Sequence, residues 1–126
     1  MISLDLAKQL AAAGILWTPQ PGDRFAIDSP SLTGEVYWVS EMTIDLHHFA
    51  DQSVLGFNGT TEWALDSVSL DQTIWLPLEH QLRELIGDRL VSLDRDGAQW
   101  VVTTSDAVAR DADVETAYAQ ALLALC

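Results

Sequence analysis

Apolar residues first recur at helical spacing at Leu4, Ala7, Leu10 and Ala11. Ser3 stands before them as an N-cap, and Asp5 suits the positive end of a helix dipole. The pattern predicts a helix over 4–13, stopped by Gly14. Ile15-Leu16-Trp17 then reads as a short extended piece, and Thr18-Pro19-Gln20-Pro21-Gly22-Asp23 as a two-proline turn that leads into a strand from Arg24 to Ile27.

From Glu35 to Phe57 the chain is rich in Val, Tyr, Trp, Ile and Phe. The alternation of Ile44, Leu46 and His48 against Asp45, His47 and Phe49 predicts two or three antiparallel strands, turning near Ser40-Glu41 and Ala50-Asp51-Gln52. Asn58-Gly59 is a hairpin-turn signal. Residues 60–68 fit either a strand or a short helix capped by Thr60 or Thr61.

A second helix is expected with Pro77 at its first position and Leu78, Leu82, Leu85 and Ile86 on one side before Gly87. Leu90–Leu93 and Trp100–Thr103 read as a hairpin whose turn uses Gly97, and Ser105–Asp113 as a surface loop or minor strand. A last helix follows the N-cap Asp113, with Val114, Ala117, Tyr118, Ala121, Leu122 and Leu125 at 3-4 spacing. This order lacks the regular β-α-β alternation of a parallel sheet. The expectation is one α+β domain over 1–126, an antiparallel sheet of about five to six strands packed by two or three helices on one face.

Composition narrows the function classes. Nineteen acidic residues face six basic ones, a formal charge of −13, which repels phosphate backbones and anionic membrane surfaces. Neither nucleic acid nor membrane is expected as a partner. With 48% hydrophobic residues and five tryptophans, apolar burial can offset the conformational entropy of folding. The start of the chain has no basic n-region, and the single cysteine, Cys126, permits no internal disulfide; a cytoplasmic protein is expected.

No catalytic signature emerges. The only lysine, Lys8, lies in the first predicted helix, away from any phosphate loop, and neither a Gly-x-Gly-x-x-Gly turn, a Gly-x-Ser-x-Gly elbow nor a His-Glu-x-x-His pair occurs. Catalytic residues, metal ligands and cofactors are therefore assigned to no position. His47 and His48 are neighbours in a predicted strand, point to opposite faces and cannot chelate one ion together; Asp45 shares a face with His47. Glu62 and Asp66 would share a helix face, or lie about 13 Å apart along a strand. In so acidic a chain such pairs arise by chance. His80 reads as a surface residue.

Trp17, Trp38, Trp63, Trp75 and Trp100 are weighed first as core, and Trp75 and Trp100 occupy ordinary core positions. Trp38 and Trp63 flank the Asn-Gly region and are the better surface candidates. The resulting expectation is a non-catalytic binding or interaction module that uses Trp38, His48, Phe57 and Trp63 to hold a protein partner or small ligand, with a homodimer as companion expectation. The alternative is a small hydrolase or isomerase using His47 or His48 with Asp45, Glu62 or Asp66, with or without a divalent ion.

The run Gly56-Phe57-Asn58-Gly59-Thr60-Thr61-Glu62-Trp63-Ala64-Leu65-Asp66-Ser67-Val68 and the segment Trp75 to Gly87 resemble a family of small acidic actinobacterial proteins of unknown function. Trp17-Thr18-Pro19, Pro21-Gly22-Asp23-Arg24-Phe25 and the Ala/Leu-rich last helix extend the likeness along the chain. Members often bear a pilus-assembly label of the CpaE type, whose ATPase-like architecture needs a phosphate loop and a length this chain does not have. The resemblance implies a bacterial cytoplasmic protein and supplies no functional residues.

Overall fold

The computed structural model describes residues 1–29, 35–39, 44–49, 52–57 and 68–126. The chain gathers into two compact units, one formed by Met1–Leu16 with Leu76–Cys126, the other by Trp17–Trp75.

The first unit opens with helix α1, Leu4–Ala12. Ser3 Oγ accepts the Leu6 N–H at 3.1 Å, as the N-cap reading requires. At the other end Gly14, at φ 98°, donates to Ala11 O while Ile15 donates back to Leu10 O, a Schellman closure that satisfies two terminal carbonyls. The face bearing Leu6, Ala7 and Leu10, with Ile2 just upstream, is buried.

Helix α2 runs from Glu79 to Ile86 and buries Leu82 and Ile86. It starts later than the sequence suggests: Leu78 is the extended N-cap residue, and buried Pro77 lies outside the helix. Leu78 has no side-chain acceptor. The Gln81 side chain instead accepts the Leu78 N–H at 2.9 Å, the reciprocal half of a capping box, and Glu115 Oε2 accepts the Glu79 N–H at 2.9 Å. Helix entry is thus set by a carboxylate 36 residues away, which local pattern does not reveal.

After Gly87 (φ 63°) a 3-10 turn, Gly87–Arg89, leads into the antiparallel meander β7 (Leu90–Asp96), β8 (Gln99–Thr104) and β9 (Val108–Asp111), with Gly97 (φ 60°) in the tight turn. Leu93, Val102 and Ala109 form one cross-strand row, and a β-bulge lies between Leu90 and Ser92. Helix α3, Val114–Leu125, packs on β8, β9, α1 and α2. Its buried stripe alternates small and large residues: Ala117, Ala119 and Ala121 allow close approach, while Tyr118 and Leu122 fill the space between.

Charged groups close the helix ends. Asp113 caps α3, accepting the Thr116 N–H at 3.1 Å and its hydroxyl at 2.7 Å, and the Met1 ammonium lies 3.2 Å from both Asp113 and Glu115. Burial acts to raise the Asp113 pKa, but the hydrogen bonds from Thr116 and the ammonium, with the ammonium's charge, outweigh it and hold the carboxyl below its ordinary value. At the opposite end of α3, Arg89 reaches the Leu125 carbonyl at 3.4 Å, a cation at the negative end of the dipole.

Because the folded-state pKa of Asp113 is depressed, its contribution is complete above the unfolded value of about 3.9 and is lost as pH falls through the folded pKa. Asp113→Ala is expected to cost about 1–2 kcal/mol at neutral pH, and the gap to the unmodified protein should narrow below about pH 4. Urea unfolding at neutral and acid pH checks this; a gap that widens in acid contradicts it.

The second unit holds two three-stranded antiparallel sheets. One has the order β2-β1-β6, with β1 Arg24–Ile27, β2 Tyr37–Trp38 and β6 Thr73–Trp75. The other has the order β3-β4-β5, with β3 Ile44–Phe49, β4 Gln52–Phe57 and β5 Val68–Ser69. All four residues of β1 are buried, as befits a central strand. Among the described residues the strands therefore divide into three sheets of three, where the sequence predicts one sheet of five to six. The divisions follow from pairing: β1 bonds to β6, almost fifty residues on, and β7, β8 and β9 bond only to one another among the described residues. Asn58-Gly59, Trp63, Glu62 and Asp66 lie outside the described residues.

Candidate functional site

The aromatic residues of the second unit are arranged by strand register. Phe25 faces Tyr37 on β2 and Trp75 on β6, so the three residues form one cross-strand row. Phe25 is fully buried, and its ring lies 5.5 Å from both Tyr37 and Trp17. Trp17 also stacks on Trp75 at 6.4 Å with 9° between planes. The two-proline segment carries Trp17 into this row, held by Asp23, whose buried carboxylate accepts the Trp17 Nε1–H at 2.9 Å and the Gln20 N–H at 3.0 Å. The buried Trp75 Nε1–H has no hydrogen-bond partner among the described residues.

Trp38 behaves differently. It is paired with Arg24 rather than Phe25, which assigns it to the opposite face of the sheet. It is 51% exposed, where the sequence places it in the core first. The reason is its position on a two-residue strand that, among the described residues, lies at the sheet margin with β1 as its bonded neighbour. Arg24, a buried residue, places its guanidinium 5.9 Å from the ring centroid, within cation–π range. Trp17, Trp75 and Trp100 are half-buried, and His80 is exposed.

His48 and Phe57 fall on β3 and β4. The register sets His48 opposite Ser53 and Phe57 opposite Ile44, so the two stand at opposite ends of one ladder, about 13 Å apart along it. Asp45 and His47 lie two residues apart on β3, opposite Gly56 and Val54. Among the described residues no group of three His, Cys, Asp or Glu side chains is placed to hold a metal ion, and no helix is long and apolar enough to cross a membrane.

Charge is distributed unevenly. Between Trp17 and Trp75 the sequence has nine carboxylates and one basic residue, Arg24, whose guanidinium lies over the Trp38 ring. An exposed indole on so acidic a unit offers an apolar, π-rich anchor within a negative field. The composition signals both features; the assignment of exposure to Trp38 requires the pairing of β1 with β2. Comparison with protein-family profiles, with curated proteins and with solved structures finds no match.

Proposed function

We propose that the chain is a non-catalytic binding module that docks a basic protein segment on the Trp38 surface of its acidic second unit, with His48, Phe57 and Trp63 as the wider candidate surface. The observation that carries this reading is the half-exposed indole, with Arg24 over its ring, within a unit otherwise devoid of lysine and arginine. A half-exposed tryptophan has the character of an interface hot spot. The surrounding carboxylates steer cationic partners and repel acidic ones. A cytoplasmic setting agrees with this role.

The test is an immobilised peptide library probed with the full chain. Lys/Arg-rich sequences with an apolar residue are expected to be captured, and acidic ones to be rejected. Trp38→Ala should weaken capture by about tenfold or more while leaving stability within about 0.5–1 kcal/mol, because the side chain is half outside the fold. Capture that ignores peptide charge, or that survives Trp38→Ala unchanged, overturns the reading.

A further inference from the structure

We propose that β7 is a self-recognition edge, through which a second copy of this chain pairs antiparallel and extends the meander into a six-stranded sheet. The strand is seven residues long and, among the described residues, forms one margin of its sheet with β8 as its bonded neighbour. Its outer N–H and C=O groups are a template for another strand. The side chains point the same way. Val91 is 67% exposed and Leu93 36%, although Leu93 shares a row with buried Val102 and Ala109.

Symmetry restricts the register. A two-fold axis normal to the sheet keeps each residue on its own face, so only registers centred on a residue bring like faces together. With the axis at Leu93, Leu93 meets its own counterpart and Ser92 meets Asp94, and the bulge at Val91 interrupts the regular pairing beyond them. The apolar row then runs from Ala109 and Val102 through both Leu93 side chains into the second copy. The Ser92 hydroxyl already donates to the Asp94 carboxylate of its own strand at 2.8 Å, so across the axis a compatible donor and acceptor face each other twice. Centring on Asp94 would oppose two carboxylates, and centring on Ser92 would set Leu90 against Asp94.

Charge selects the same unit for self-association. Five of the six basic residues lie in the unit that contains β7, so a second copy approaches the less acidic part of the molecule. The charged run Asp94-Arg95-Asp96 disfavours other registers and unrelated strands, which keeps the edge specific. Repulsion between two chains of charge −13 still opposes pairing, and added salt should therefore tighten the dimer.

Light scattering of the full chain over a concentration series tests this. A dimer is expected, and Leu93→Lys and Leu93→Glu should each raise its dissociation constant by about tenfold or more, because like charges then meet on the axis. An equimolar mixture of the two variants should restore dimer, which a loss of fold could not do. Ser92→Asp, which sets a carboxylate opposite Asp94 of the second copy, should also weaken the dimer, and it decides the matter if circular dichroism shows the Leu93 variants unfolded. A monomer at every concentration, or a dimer indifferent to these substitutions, overturns the proposal.

Discussion

Phe25→Ala is expected to lower the stability of the protein by about 3–5 kcal/mol, which approaches the whole stability of a marginal domain. Phe25 is completely buried on the central strand β1, with β2 and β6 on either side. Its removal takes away the ring that touches both Trp17 and Tyr37, each at 5.5 Å, and opens a cavity that the flanking strands hold apart. About 0.5–1.5 kcal/mol of the loss belongs to aromatic contact beyond simple area burial, so Phe25→Leu should recover most but not all of it. Denaturant unfolding followed by tryptophan fluorescence is the direct measurement. A loss below about 1 kcal/mol would show that this aromatic row is not the core of its unit.

Tyr118→Ala is expected to have a comparable effect, about 3–5 kcal/mol, in the other unit. Tyr118 is 1% exposed and sits midway along α3, the helix packed against α1, α2, β8 and β9. The neighbouring Ala117, Ala119 and Ala121 cannot expand into the space it leaves. Gln120→Ala, on the exposed side of the same helix, serves as the control and should change stability by no more than about 0.5 kcal/mol. Thermal unfolding monitored by far-ultraviolet circular dichroism separates the two. Equal effects would contradict the packing described for α3.

Much of the local structure is legible in the residues themselves. Ser3 and Asp113 cap their helices, Gly14, Gly87 and Gly97 occupy positive φ where a stop or turn is expected, and the alternation through 44–57 becomes β3 and β4. These features depend on interactions within a few positions. The start of α2 does not, because Glu115 supplies one of its caps from another helix. Nor does the grouping of strands, since alternation reveals that a segment pairs without identifying its neighbour. The exposure of Trp38 follows from that same hidden information: Tyr37 and Trp38 are adjacent and both aromatic, and only the register with Phe25 and Arg24 separates the row residue from the surface one.

The most direct test of the central claim is calorimetric titration of a Lys/Arg-rich peptide captured by the library into the unmodified protein and into Trp38→Ala, at low and at raised ionic strength. The account predicts saturable binding by the unmodified protein, weaker in salt because the acidic unit steers the peptide, and weaker by about tenfold or more without the indole. Equal affinity for the two proteins, or binding indifferent to salt, would contradict it.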